Sequence, residues 1–73
     1  MLEELSEREQ AVAKLLRTGV SNKEIARALG VEVVTVKKHV GNIFRKLGAR
    51  NRTQAALDLV REAMRSRRGN VKP

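Results

Sequence analysis

Apolar residues recur at the three- and four-residue spacing of amphipathic helices in four successive segments of the chain. This spacing predicts helices over about residues 7–17, over the short segment 22–29, over about 33–47, and from Asn51 to about Met64. No strand-like alternation and no internal repeat is present in the sequence. The pattern therefore predicts an all-α fold with these apolar positions in its first three helices: Val12, Leu15 and Leu16; Ile25, Ala26 and Leu29; Val36, Val40, Ile43, Phe44 and Leu47.

The ends of the predicted helices carry the residue types that helix ends favour. Ser6 with Glu9, and Ser21 with Glu24, have the spacing of a capping box, in which the serine accepts from the first turn and the glutamate reaches back. Glycines at positions 19, 30 and 48 follow the first three helices. Asn51 is a favourable N-cap for the fourth helix. Residues 65–73 are expected to form a basic, flexible tail behind a domain that occupies residues 1–64.

The predicted third helix has an apolar face and a basic face. At 100° per residue, the positions opposite the apolar face are Val34, Lys38, Gly41 and Arg45, with Lys37 at the edge. The span 33–57 contains six Lys or Arg side chains and no Asp or Glu, although the chain has eight acidic residues. This asymmetry indicates a polyanionic partner.

Composition narrows the classes of function. The 73 residues carry a formal charge of +8, which suits nucleic acid or an anionic membrane surface. The absence of cysteine excludes disulfides and thiolate metal sites, and the single aromatic residue, Phe44, argues against folds that bind single strands by base stacking. No apolar run approaches the roughly 20 residues of a membrane span, and the acidic start lacks the basic region of a signal peptide. We therefore expect a soluble, cytoplasmic protein.

Two helices joined by a short turn that contains glycine, the second with exposed basic residues, have the arrangement of a helix-turn-helix motif. The sequence also resembles the LuxR-type helix-turn-helix family, which includes the output domains of FixJ- and NarL-like response regulators and the stand-alone regulator GerE. The resemblance covers Leu5 to about Val60. It is carried by LSERE at 5–9, GVSNKEIARALGV at 19–31, TVKKHVGNIFRKLGA at 35–49 and RTQA at 52–55.

The resemblance implies a four-helix DNA-binding domain whose third helix enters the major groove. The positions that match family base contacts are Lys37, Lys38 and Gly41. Lysine donors can reach guanine O6 and N7, and an exposed Val34 is placed to touch a thymine methyl group. The expected phosphate partners lie at the start of the second helix and around the third: Ser21, Asn22, Lys23, Thr35, Arg45, Lys46 and Arg50.

Two positions depart from the family pattern. Many members carry a polar or basic residue at the position of Gly41, so the glycine marks either close approach to the duplex or reduced readout. Glu32 stands where the family commonly has a serine that caps the recognition helix and touches phosphate. Glutamate is a poorer cap and repels phosphate, so Glu32 is excluded from the predicted site.

Several residues also have plainer interpretations. Lys37, Lys38 and Arg45 could form a solvated helix face, and Val34 could be exposed incidentally or pack against the turn. Arg52 is expected to hold the fourth helix in place through an ion pair with Glu9 or Glu24, in preference to contacting DNA.

No residues suggest catalysis or metal binding. His39, the sole histidine, is expected to make a structural hydrogen bond, because a metal site would need more ligands than one histidine and no cysteine provide. The carboxylates are scattered over capping and surface positions, without a nucleophile–base pair or a phosphate-binding glycine loop. We therefore expect a non-enzyme without cofactor or metal.

The predicted fourth helix has two apolar stripes. One comprises Ala55, Ala56, Leu59 and Ala63, which a monomer can bury. The other comprises Leu57, Val60 and Met64, and an exposed stripe of this kind suggests a partner helix. Since the family resemblance implies a symmetric copy, we expect a weak homodimer that forms on DNA. The alternative is that the tail or a further domain covers the stripe.

Three functions remain open at this point. The preferred one is sequence-specific binding of double-stranded DNA, as a transcription regulator or a response-regulator output domain, and a contact with RNA polymerase is compatible with it. The second is a weakly specific nucleoid or RNA-binding module, which the charge, the basic tail and Gly41 favour. The third is a purely protein-binding helical module, which would be indifferent to DNA at low salt.

Overall fold

The computed structural model describes the backbone of residues 5–71 and the side chains of residues 5–65. Its helices are α1 (Glu7–Leu16), α2 (Asn22–Leu29), α3 (Val33–Leu47) and α4 (Arg52–Val71). No strand occurs among the described residues. The predicted all-α, four-helix fold is confirmed, and each of the first three helices begins and ends within one residue of its predicted bounds.

Both predicted capping boxes form. The backbone N–H of Glu9 donates to Ser6 Oγ at 3.1 Å, and the N–H of Ser6 donates to Glu9 Oε1 at 3.0 Å. At α2, the N–H of Glu24 donates to Ser21 Oγ at 3.2 Å and the N–H of Ser21 donates to Glu24 Oε1 at 2.9 Å. These bonds satisfy N–H groups that have no partner inside a helix, so they set where α1 and α2 begin.

The turns on either side of α3 depend on left-handed glycines. Gly30 (φ 68°) ends α2 and Gly48 (φ 71°) ends α3, as Gly19 (φ 88°) follows α1. Because glycine adopts this conformation without a Cβ clash, the chain can turn from α2 into α3 within three residues. The start of α3 has no side-chain cap, since Glu32 makes no capping hydrogen bond, as predicted for glutamate at this position.

α3 is the central helix, in contact with α1, α2 and α4. Its predicted apolar face is buried through Val36, Val40 and Ile43, and Phe44 and Leu47 pack against the core. The other helices and the segment before α1 contribute these buried residues: Leu5, Val12, Ala13, Leu16, Ile25, Ala26, Ala55 and Leu59. With one side of α3 buried against three helices, its other side is presented to solvent on a rigid support.

α4 differs from the prediction at its far end. Asn51 caps its start as predicted, since the N–H of Gln54 donates to Asn51 Oδ1 at 2.9 Å. The helix then continues to Val71 instead of ending near Met64. Arginine is a good helix former and no proline interrupts residues 65–71, so a helix already nucleated against the core can propagate through the basic sequence. Most of residues 65–73, for which a flexible tail was predicted, lie outside the residues whose side chains are described, so their flexibility remains a prediction.

Candidate nucleic-acid interface

The side of α3 opposite the core exposes all four residues that were predicted to contact bases. Val34 has 71% of its surface exposed, and Lys37, Lys38 and Gly41 are exposed as well. These four residues are termed the reading face below. Two ammonium groups beside an apolar side chain can offer both hydrogen-bond donors and a hydrophobic contact, which are the two kinds of contact that base edges accept in the major groove.

Positive charge continues from the reading face to the end of α3. Arg45 is exposed, and its Nη2 donates to Asn42 Oδ1 at 2.8 Å, which holds the guanidinium along the helix. Arg50 is exposed in the turn that leads to α4. Because the span 33–57 contains no acidic residue, no carboxylate within it competes with an incoming anion for these cations.

The start of α3 is less favourable to an anion. Thr35 is half-buried, and its backbone N–H donates to the carbonyl of Glu32 at 3.1 Å. The Glu32 side chain is exposed at this end of the helix. A carboxylate there repels phosphate, which supports the exclusion of Glu32 from the predicted site.

The predicted phosphate partners at the start of α2 are partly engaged within the fold. Ser21 Oγ accepts from the N–H of Glu24, and Asn22 Oδ1 accepts from Arg52 Nη1 at 2.7 Å. Lys23 is exposed. This segment can therefore offer an anion the Lys23 ammonium and the backbone N–H groups at the positive end of α2 more readily than the two short polar side chains.

Lys46 departs most from its predicted role. Its Nζ donates to Glu9 Oε1 at 2.8 Å, where the Lys46 side chain is 32% exposed and the Glu9 side chain only 7%. The Lys46 ammonium, followed by the N–H of Ser6, holds the pKa of Glu9 below its ordinary value, although burial acts in the opposite direction. Lys46 therefore stabilises the packing of α3 on α1, and a further phosphate contact stays a prediction.

The sequence pattern did not reveal this ion pair, although it contained a signal. Lys46 comes three residues after the buried Ile43, so it lies only about 60° around the helix from that side chain. A lysine at the edge of a packed face is placed to cover apolar surface with its stem and to reach a neighbouring helix with its ammonium group.

Arg52 has the structural role predicted for it, but with different partners. Its Nη1 donates to Asn22 Oδ1 at 2.7 Å and its Nη2 donates to the carbonyl of Val20 at 2.6 Å. The predicted ion pair with Glu9 or Glu24 is wrong, because Glu9 binds Lys46 and Glu24 serves the capping box of α2. The guanidinium instead joins the start of α4 to Val20, which precedes α2, and to Asn22, the first residue of α2.

The structural hydrogen bond predicted for His39 is not made by Nδ1. The residue is half-buried, and Nδ1 is buried with no hydrogen-bond partner among the described residues. The backbone carbonyls along the interior of α3 are already paired with the helix's own N–H groups, so they offer the ring nitrogen little. Nδ1 therefore does not make the predicted bond, and a structural hydrogen bond of the ring through its other nitrogen remains a prediction.

The described residues lack two features that other functions would require. No group of three or more His, Cys, Asp or Glu side chains there could hold a metal ion. Within the same part of the chain, no helix has the length and apolar character needed to cross a membrane.

A second exposed surface lies on α4. Leu57, Val60 and Met64 are exposed by 53, 37 and 60%, whereas Ala55 and Leu59 on the other side are buried. The two stripes predicted for this helix are confirmed, and the exposed one is an apolar surface that a partner can cover. Beside it lies a shallow groove of about 330 Å³, lined by Leu16, Arg17, Gly19, Arg52, Thr53, Ala56, Leu57 and Val60.

Comparison with known proteins agrees with this geometry. Residues 3–58 match the family model GerE, described as bacterial regulatory proteins of the luxR family. Over 58 residues the chain is 52% identical to the transcriptional regulatory protein LnrK of Bacillus subtilis, covering 80% of this chain and 26% of LnrK. It is 46% identical over 57 residues to the response regulator protein VraR of Staphylococcus aureus, covering 78% of this chain and 27% of VraR. It is 45% identical over 67 residues to the two-component response regulator PprB of Pseudomonas aeruginosa, covering 92% of this chain and 24% of PprB.

The matched residues 3–58 include α1, α2, α3 and the start of α4, and so both capping boxes and the reading face. The chain spans about a quarter of the length of these curated relatives. With this match and the helix-turn-helix geometry of α2 and α3, the chain belongs to the luxR family of bacterial regulatory proteins, whose non-enzymatic DNA-binding domain it contains.

Proposed function

We propose that this domain binds duplex DNA sequence-specifically as part of a transcription regulator, with α3 in the major groove. The observation that carries the proposal is the division of α3 into a face buried through Val36, Val40 and Ile43 and the exposed reading face. A helix held in this way can enter a groove about 12 Å wide without rearrangement of the domain.

Within this proposal, Lys37 and Lys38 donate to guanine O6 and N7, and Val34 packs against a thymine methyl group. Each well-placed base contact discriminates against a wrong base pair by about 1 to 3 kcal/mol. The phosphate contacts come from the start of α2 and from the cations around α3, with Lys23, Arg45 and Arg50 the most accessible. Lys46 serves mainly to bind Glu9, and its contact with phosphate is secondary to that structural role.

The exposed stripe on α4 supports a symmetric dimer on DNA. Three side chains would bury about 200 to 300 Å² per protomer, far below the roughly 800 Å² per partner of a stable interface. The domain is therefore a monomer in dilute solution and pairs when two copies are held side by side. Two recognition helices related by a two-fold axis would then address half-sites about 10 base pairs apart.

The similarity to response regulators supports a role as the output domain of a longer protein, which acts on chromosomal DNA in the cytoplasm. An activating regulator would also contact RNA polymerase. The surface that contacts RNA polymerase would have to lie outside the reading face, because DNA covers the reading face.

Selection of binding sites from a pool of randomised duplexes tests the proposal. The expected result is a consensus half-site repeated as a pseudo-palindrome. The Lys37→Ala variant should lose preference at one or more positions of that half-site. Lys14→Ala, at an exposed position of α1, removes the same charge away from the reading face and should keep the wild-type consensus.

The second candidate function is a weakly specific nucleic-acid-binding module, which the missing side chain at Gly41 favours because it removes one reader from α3. The same selection separates the two. If the wild-type domain enriches no consensus while binding all duplexes, the sequence-specific proposal is wrong and the weakly specific one is correct.

A further inference from the structure

Gly41 is a residue of the reading face whose identity the fold itself does not explain. It lies in the interior of α3 and is not among the glycines with positive φ, so its backbone conformation is one that any residue adopts. Apart from the neighbouring backbone of α3, a Cβ atom built there would meet no atom of the described residues within 4 Å. Neither backbone strain nor crowding within the domain therefore requires glycine at this position.

Glycine has a cost at such a place. In an exposed helix interior it lowers the folding equilibrium constant about five-fold relative to alanine, since its backbone loses more freedom on folding. Among the described residues, no side chain or backbone atom uses the open space, so none of them offsets that loss. A molecule that binds to this face can supply a compensating advantage.

The surroundings of Gly41 define what that molecule can place there. Lys37 and Lys38 lie one turn before it and Arg45 one turn after it on the same face, so the open space is flanked by cations. Gly41 itself has no side chain, and its N–H and C=O are used by the hydrogen bonds of the helix interior. It can therefore offer only van der Waals contact.

We propose that Gly41 determines specificity by leaving a gap in the reading face that admits the C5-methyl group of one thymine. The methyl group is the apolar group that base pairs present in the major groove, and it needs no hydrogen-bond partner. A polar base edge opposite Gly41 would lose its water without gaining a donor or acceptor. The proposal deepens the proposed function and depends on it, since α3 must enter the major groove.

The test combines Gly41→Ala with removal of the methyl group from the DNA. Duplexes that carry the selected half-site are prepared with each thymine replaced in turn by deoxyuridine, and dissociation constants are measured for both proteins. Burial of one methyl group corresponds to about a four-fold change in affinity. Wild-type protein should therefore bind about four-fold more weakly when one particular thymine is replaced.

Gly41→Ala should bind the thymine site about ten-fold more weakly than wild type, as for a mismatched base pair. It should recover most of that loss with deoxyuridine at the same position, because the new methyl group then occupies the space that the base has vacated. The Gly41→Ala domain should be more stable than wild type in urea unfolding, and its thermal unfolding midpoint should be about 4 to 8 °C higher. Ala28→Gly makes the opposite exchange at an exposed position of α2 and should lower stability without changing base preference.

The outcomes are distinct. If Gly41→Ala is stabilised and binds every duplex as the wild type does, the gap has no role in readout and the inference is wrong, while the proposed function stands. If the variant loses affinity equally for thymine and deoxyuridine, the close contact is not with a methyl group and the inference is also overturned. If the wild-type domain selects no sequence at all, the proposed function fails and the inference fails with it.

Discussion

The Glu9–Lys46 ion pair provides a quantitative prediction about stability. Lys46→Met keeps the apolar stem of the side chain but removes the ammonium group, which leaves a carboxylate that is only 7% exposed without its 2.8 Å partner. Removal of one partner costs about 3 to 5 kcal/mol when both groups are fully buried and about 0 to 1 kcal/mol for exposed pairs. Since the lysine is 32% exposed, water screens the pair in part, and we expect a loss of about 1 to 3 kcal/mol.

Urea unfolding followed by circular dichroism at pH 7 measures this loss. Glu9→Gln is a matched control, because glutamine can still reach back to the N–H of Ser6 in the capping box, and the charge left without its partner is the more exposed Lys46 ammonium instead of the buried carboxylate. It should therefore cost less than Lys46→Met. In the double variant, the second substitution should cost less than it does alone, because the interaction has already been removed.

The stabilisation by the Glu9–Lys46 ion pair should also depend on pH. Lys46 and the N–H of Ser6 lower the pKa of Glu9 in the folded state, so the folded domain binds a proton there less readily than the unfolded chain does. The stabilisation by this pair is therefore present above the ordinary glutamate pKa of about 4.3 and is lost as the pH falls through the lowered folded value. The difference between wild type and Lys46→Met should shrink in that acid range. An unchanged stability of Lys46→Met at pH 7, or a difference from wild type that is the same at all pH values, would show that this ion pair does not stabilise the fold.

Four further predictions concern binding and assembly. Affinity for duplex DNA should fall with salt with a logarithmic slope of about −5 if about six phosphates are neutralised, and a flat response in a fluorescence titration would contradict this. Lys37→Ala and Lys38→Ala should weaken discrimination between base pairs, whereas Arg50→Ala should lower affinity similarly on all duplexes, as competition assays can show. Arg52→Ala should destabilise the domain by about 1 to 3 kcal/mol through the loss of two charged hydrogen bonds, without altering base preference. Val60→Glu should leave folding and single half-site binding intact but abolish cooperative binding to paired half-sites; retained cooperativity in a gel-shift assay would show that α4 is not the dimer surface.

Local features of the sequence were sufficient to predict the helices and the exposed residues of α3. The capping boxes at Ser6 and Ser21 and the glycines at 30 and 48 act within a few residues, so they can be recognised without knowledge of the fold. The separation of the reading face from the core follows from helical periodicity alone. The predicted end of α4 failed because composition indicated a tail, whereas helix propagation depends on propensity and on the packing that precedes it.

Local sequence patterns could not predict contacts between residues that are distant in the sequence. Glu9 and Lys46 are 37 positions apart, and Arg52 is 32 positions from the carbonyl of Val20. Each side chain had several oppositely charged or polar candidates, and the fold decides which of them lies within reach. The same limit applies to Lys46, because the sequence shows a lysine near a basic face, whereas only the fold places it beside Glu9 of α1.

The proposal that α3 binds DNA through its reading face is tested most directly by mapping the DNA contact residue by residue. Backbone amide chemical shifts of the ¹⁵N-labelled domain would be followed during titration with a duplex that carries the selected site. We expect the largest changes in the N-terminal half of α3, from Val34 to Gly41, with further changes at the start of α2 near Lys23. Changes concentrated on α1 or on the exposed stripe of α4, with Val34 to Gly41 unaffected by DNA, would contradict the proposal.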